Sequence, residues 1–325
     1  MTTRAFSWAH GTGEIQTLGG MLGPVAFRLP DGREAAPFQI APWADDPQAN
    51  ALPGILQRLR GEWPCVPFGA ERDATLSGDW VNLANGTPDG QPPHGHSSND
   101  HWTFDSDFTL RLNYPAHHPI ARLERRITPD PTTAALDISL TIHPRRDVAL
   151  PIGLHPTFRV PDTGVQIQTT SGGMTFPGPV EPGVSQLAEG ARFASLTAVP
   201  LRGGGTTDLT HLPAPRATEE LVQLTAPQGH VALAYPGEGF RIEMSWNPAH
   251  FPGLVIWVSN RGRSAYPWSG RHQAVGIEPV CAAFDLGPRI STAANPLSRE
   301  GHPTAHPLRA GKPFTTTLRI RASAL

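Results

Sequence analysis

Three short segments of the 325-residue chain gather side chains able to move protons or hold a polar ligand. The first, Pro92-Pro-His-Gly-His-Ser-Ser-Asn-Asp-His-Trp102, sets His94, His96 and His101 among turn formers. Such a loop presents polar side chains to solvent or ligand, and a His-x-His pair can also ligate a metal ion. Only Asp100 stands near enough in sequence to complete a metal set. The second, Leu150-Pro-Ile-Gly-Leu-His-Pro-Thr-Phe158, puts His155 directly before a proline at the end of an apolar run. A residue before proline is pushed to extended geometry, so this imidazole projects sideways from a strand end. His-Pro recurs at His118, His143, His302 and His306, so the surrounding pattern, not the dipeptide, singles out His155. The third, Ala274-Val-Gly-Ile-Glu-Pro-Val280, carries Glu278 in an apolar strand. A carboxylate there must find a partner or raise its pKa, which makes it either a candidate general base or an internally paired structural group.

The elements that must position these groups read as strands. Alternating or β-branched runs closed by Pro, Gly, Asn or Asp recur at Phe108–Leu112, Ala134–Ile142, Val165–Thr169, Glu220–Leu224, His230–Ala234, Phe240–Trp246, Leu254–Ser259, Ala274–Val280 and Phe314–Ile320. Leu52–Leu59 is the single helix candidate. The chain holds 33 Gly and 36 Pro, well above their combined average share of about 12 % but short of a disordered composition, and 38 % apolar residues suffice for a core. The surplus is turn punctuation between many strands, which points to an all-β, antiparallel sandwich or barrel with few or no helices. No uniform linker and no fixed repeat divides the chain, so residues 1–325 are read as one domain.

Charge excludes some partners. A net charge of −2 without blocks of like sign disfavours nucleic acid and acidic membranes, and Lys312 is the only lysine. Cys65 and Cys281 stand far apart without zinc-type or CxxC spacing and read as reduced core thiols. No apolar run approaches the roughly 18 residues of a membrane span, and the first thirteen residues lack the apolar core of a secretory signal. A soluble, cytoplasmic protein is expected.

Taken in order, the segments resemble the aldose 1-epimerase (galactose mutarotase) family. Phe68-Gly-Ala-Glu-Arg72 resembles that family's early motif, Pro93-His-Gly95 its His-Gly turn, His155-Pro-Thr-Phe158 its His-Pro-x-Phe segment, Gly276-Ile-Glu-Pro279 its late-strand Glu, and Leu308–Leu318 its closing strand. The resemblance implies an antiparallel β-supersandwich, no cofactor and a sugar substrate. It implies Glu278 as general base, His155 as general acid, and Arg72 and His94 as substrate-binding groups. The family's Asp-His-x-Phe string between the catalytic His and Glu is absent; Thr207-Asp-Leu-Thr-His211 lies in the right interval, and Asp208 is carried forward as a substrate-binding candidate.

Mutarotation suits these residue types. A proton leaves the anomeric hydroxyl while another reaches the ring oxygen; the pyranose opens to an aldehyde, which rotates and recloses on its other face. A carboxylate and an imidazolium on opposite sides of the sugar do this and exchange roles on closure. Trp102, Trp257 and Trp268 are candidates to pack on the sugar's apolar face, though core packing accounts equally for any one of them. Two alternatives stay open: a carbohydrate-binding module that kept the cleft and lost the chemistry, and a cupin-like metalloenzyme using His94, His96 and His101.

Overall fold

Alternation of apolar and polar residues becomes strand geometry along Ala135–Pro144, where Leu136, Ile138, Leu140 and Ile142 are buried and the residues between them half-buried. A computed structural model describes residues 2–71, 76–83 and 91–325. Within these, Ala135–Pro144 lies in the middle of an antiparallel sheet. Its strands run in the spatial order His211–Leu212, Val165–Gln168, His230–Tyr235, Phe240–Trp246, Phe314–Ala324, Ala135–Pro144, Ile120–Pro129, Thr109–Asn113, Thr103–Phe104.

A second antiparallel sheet has the order Arg192–Phe193, Gly173–Thr175, Thr218–Thr225, Gly253–Asn260, Gln273–Cys281, Ile152–Leu154, Pro64–Cys65, with Thr157–Arg159 also paired to Gln273–Cys281. One face of it, bearing Val222, Leu254, Ile256, Val258, Val275 and Ile277, packs in one core with Leu136, Ile138, Leu318 and Ile320 of the first sheet. Its other face, bearing Leu221, Val255, Trp257 and Val280, belongs to a separate cluster with Trp63, Phe68 and Phe284. Both faces of the central strands are therefore covered, and every residue of Gly253–Asn260 is buried. Side chains alternate between faces along a strand, so Glu278 points away from the inter-sheet core that takes Ile277.

All nine strands expected from the sequence are present, with ends shifted by a few residues. Strands Thr3–Trp8, Gly11–Gln16 and Leu22–Arg28, which form a smaller sheet with Glu34–Ala35, were not expected from periodicity. Glycine hides their pattern: a side chain at Gly13 would begin 2.5 Å from the Phe6 ring, which lies against it from the paired strand. Ile120–Pro129 was hidden because Arg125, a charged residue, occupies one of its buried positions between Leu123 and Ile127 and so breaks the apolar period. The helix expected over Leu52–Leu59 is replaced by two 3-10 turns, Pro47–Ala51 and Gly54–Gln57, because Pro53 and the positive φ of Gly54 interrupt any longer helix. The α-helices among the described residues are short: Gly95–Asn99, Gly287–Thr292 and Pro296–Arg299. No helix of the described residues is long and apolar enough to cross a membrane. Cys65 and Cys281 are buried and not bonded to each other.

Glu62, bridged to Leu22 of the N-terminal sheet, and Arg125, on strand Ile120–Pro129 of the first sheet, form an ion pair with both side chains fully excluded from solvent. Glu62 also exchanges backbone hydrogen bonds with Leu22, at 2.9 and 3.0 Å. The chain entering Trp63 is thus fixed by charge and by backbone pairing together.

Candidate active site

His155 and Glu278 meet because of strand register. Ile152 and Gly153 pair with Cys281 and Val280, and farther along Thr157 and Phe158 pair with Gly276 and Val275. Both stretches have the same offset, which sets His155 opposite Glu278 in the gap between them. Pro156 and Pro279 flank that gap and have no N–H to give, so the ladder is thinned where the two functional side chains stand, the Ile277 N–H still donating to the Pro156 carbonyl at 2.9 Å. Cross-strand neighbours lie close enough for side chains to interact directly. His155 Nε2 is 3.4 Å from Glu278 Oε1, and both side chains are almost wholly buried. The Glu278 oxygen accepts no hydrogen bond from the described residues.

Gly276 makes room for the carboxylate. A Cβ there would fall 2.2 Å from Glu278 Oε1 and 3.3 Å from the Trp257 Cβ. Gly276→Ala is expected to displace the carboxylate while leaving the fold intact, because the atom met first is the end of a side chain. A variant with wild-type thermal stability and at least tenfold slower turnover is the expected result; undiminished turnover would remove Gly276 from the site's design.

The two groups sit on the wall of a cleft of about 600 Å³, whose lining also includes Trp63, His94, Trp257, Trp268, Arg263 and Asp285. His94 is in the left-handed region, φ 61°, immediately before helix Gly95–Asn99. Gly69 clamps it twice: the His94 N–H donates to the Gly69 carbonyl at 2.8 Å, and the Gly69 N–H donates to His94 Nδ1 at 3.2 Å. With Nδ1 accepting, the neutral ring carries its proton on Nε2 and so is a donor there. Trp257 is oriented by Glu219, which accepts from its indole N–H at 3.1 Å and from Ser259 Oγ at 2.7 Å. The Arg263 guanidinium lies 4.6 Å from the Trp268 ring centre.

Burial dominates the site's electrostatics. It pushes the Glu278 carboxyl well above the ordinary carboxylate range, and nearby Asp285 pushes it the same way. Burial, with a smaller contribution from His94, pushes the His155 imidazole well below its usual value. Low dielectric disfavours both the doubly protonated, cationic pair and the fully deprotonated, anionic pair. Between those two limits the pair shares a single proton, and the imidazolium–carboxylate arrangement is one proton transfer from the neutral one.

Of the residues read from the sequence, the structure brings His94, His155 and Glu278 to one cleft. Arg72 lies outside the described residues. Asp208 is not brought to this cleft: it lines a separate groove with Gln166 and His230 and accepts hydrogen bonds from the Thr210 N–H and hydroxyl, at 2.7 and 2.6 Å. Its role is to hold its own turn, a function that Asp two residues before Thr performs through local bonding. The three histidines of the first segment diverge. His94 faces His155, His96 packs near Tyr114 and His118, and exposed His101 lies 3.3 Å from Thr17 Oγ1. No three His, Cys, Asp or Glu side chains among the described residues are placed to hold a metal, which corrects the metal reading of this segment. Trp257 and Trp268 line the cleft, whereas Trp102 is core, its indole N–H donating to the Ser97 carbonyl at 2.8 Å. Trp63, Arg263 and Asp285 line the cleft without any sequence signal that would separate them from ordinary core and loop residues.

No protein-family model and no curated protein matches the chain. Solved structures do. A Synechocystis protein superposes with a TM-score of 0.66 at 14 % identity, covering 100 % of this chain and 96 % of its own. A galactose mutarotase-like protein from Lactobacillus casei gives 0.57 at 16 % identity over 99 % of this chain and 100 % of its own. A galactose mutarotase related enzyme from Lactobacillus acidophilus gives 0.57 at 14 % identity over 99 % and 98 %. Over essentially its whole length, the chain shares the fold of the galactose mutarotase-like proteins, the fold that its ordered motifs implied.

Proposed function

We propose that this chain is an aldose 1-epimerase-type isomerase, interconverting the α and β anomers of a hexose by ring opening and reclosure. The observation that carries this reading is the placement of His155 Nε2 and Glu278 Oε1 3.4 Å apart at the wall of an accessible cleft. The anomeric hydroxyl and the ring oxygen are bonded to the same carbon. A base and an acid held this close can serve both oxygens from one wall, where the residue types alone suggested groups on opposite sides of the sugar. Glu278 takes the proton of the anomeric hydroxyl as His155 gives one to the ring oxygen. The pair ends with its proton moved from imidazole to carboxyl, still holding one in total. Reclosure on the other face returns it, so no proton needs to come from solvent. His94 Nε2 supplies a donor to a sugar hydroxyl, and the Trp257 and Trp268 rings offer apolar surface for C–H faces.

Polarimetry or NMR of freshly dissolved sugars tests the reading. Anomerisation of at least one aldose faster than in buffer alone is expected, and a broad panel in which none relaxes faster would sink it. The pH profile carries a further prediction. Asp285 holds the Glu278 carboxyl up, so Asp285→Asn lets the pair lose its last proton at lower pH. The alkaline limb of kcat/KM is expected to move towards acid, and an unmoved or alkaline-shifted limb would exclude this coupling.

A further inference from the structure

His155 must carry a positive charge during turnover, yet it is buried, faces His94 edge-on at 5.2 Å between ring centres, and among the described residues pairs with one carboxylate, Glu278. Something in its surroundings has to support that charge. The Trp63 indole lies against the imidazole with ring centres 4.2 Å apart and planes inclined by 20°. An indole face is electron-rich and attracts a cation placed over it, most strongly where water is excluded. The remaining contacts of the ring fix direction more than charge: Thr157 Oγ1 is 3.2 Å from Nδ1, and the His155 N–H donates to the Trp63 carbonyl at 2.9 Å.

We infer that Trp63 is a positioning residue for the proton transfer, its indole face holding the His155 ring toward Glu278 and favouring the charged imidazolium. This inference rests on the mutarotase reading for its catalytic meaning, but not for its geometry. Trp63 is itself well placed to do this. Glu62, just before it, is locked by Arg125, and Pro64–Cys65, just after it, pair with Leu154 and Gly153. Because His155 covers one face of the indole, that face is not presented to a sugar. Among the described residues, the ionisable groups around the imidazole are Glu278 on its cross-strand neighbour, Asp285 beyond it, His94 at the helix start, Cys65 on the strand after Trp63, and Glu71, Glu181 and Arg263 across the cleft. Cys65 is held in its neutral form by burial. His94 works in the opposite sense, lowering the proton affinity of His155, which makes the support of the indole face more needed.

The test uses the full chain carrying Trp63→Leu and Trp63→Phe. In the anomerisation assay, Trp63→Leu is expected to lower kcat about tenfold with KM within twofold of wild type, while Trp63→Phe, which keeps a π face, lowers it only about threefold. A KM rise with kcat unchanged would make Trp63 a sugar platform and overturn the inference, as would no change in either constant. An arm that needs no activity follows the His155 nitrogens by NMR across every pH at which the protein stays folded. The imidazolium fraction at a given pH is expected to fall about tenfold in Trp63→Leu and about threefold in Trp63→Phe. An equal or larger fraction in the variants, or no imidazolium in the wild type at any such pH, overturns the inference. If Trp63→Leu does not fold, Trp63→Phe against wild type decides by the same criteria. Loss of all wild-type anomerisation with the NMR result intact would count against the enzyme reading alone.

Discussion

Glu278→Gln is expected to abolish most anomerisation and to make the protein more stable at alkaline pH. Glutamine keeps the shape of the side chain but neither accepts nor carries the shared proton, so the loss should be on the order of 10²–10⁴-fold in kcat. The stability gain follows from burial. The folded-state pKa of Glu278 is raised above its unfolded value, with burial the larger cause and Asp285 the smaller. Such a group contributes fully to stability below the ordinary carboxylate range, and that contribution is lost as pH rises through the folded value. A glutamine has no such dependence. The variant's melting temperature should therefore exceed the wild type's at pH 8, and the difference should shrink as pH falls towards 4.5. A variant less stable than wild type at pH 8, or a difference independent of pH, would mean that Glu278 is a structural partner and not a strained functional group. His155→Asn should cost about as much activity as Glu278→Gln, and the double variant little more than either, because the two residues pass one proton between them. Additive losses would assign them to separate steps.

Arg125→Met is expected to have the opposite character, a large stability cost arising outside the cleft. The guanidinium and the Glu62 carboxylate are both fully excluded from solvent, and Arg125 Nη1 donates to Glu62 Oε1 at 3.1 Å. Removing one partner leaves a buried charge without its counter-ion, which destabilises by about 3–5 kcal/mol. Replacing both, as Glu62→Gln with Arg125→Met, removes the charge problem and should recover most of that loss. Urea unfolding of the single and the double variant against wild type measures this directly. A single variant of wild-type stability would show that the pair does not hold the segment leading into Trp63. Where the single variant remains folded at low temperature, its turnover should fall with its stability, because the same segment carries the indole that stacks on His155.

The long strands were legible because their periods are clear. Leu136, Ile138, Leu140 and Ile142 alternate with polar residues and needed only a partner sheet to become buried. Leu254–Ser259 and Ala274–Val280 read as continuous apolar runs, and the structure gives the reason: each of their faces packs against a different cluster. The N-terminal strands were not legible, because Gly11 and Gly13 give up side chains where Trp8 and Phe6 cross from the neighbouring strand. The helix candidate failed for a local reason, the Pro53-Gly54 pair within it.

At the candidate site, the residue types and their order in the chain pointed to His94, His155 and Glu278 before any contact was known. That much follows from sequence, since proton transfer demands a few side-chain chemistries and an apolar strand makes a lone carboxylate conspicuous. Distance is another matter. His155 and Glu278 are 123 positions apart in the chain, and only the register on either side of Pro156 and Pro279 sets them face to face. The proline after each, read from sequence as a means of holding extended geometry, also removes an N–H from the ladder at the gap, where the Ile277 N–H to the Pro156 carbonyl remains. Asp208 shows the converse: the right residue type in the right interval, placed in the loop that leads into His211–Leu212, the edge strand of the other sheet. Trp63 and Asp285 carry no signature at all, because an indole core residue and a loop carboxylate acquire their meaning from what tertiary packing sets beside them. Composition, period and motif order thus determined the fold class and the chemistry available; long-range strand pairing decided which groups share a proton and which surfaces surround it.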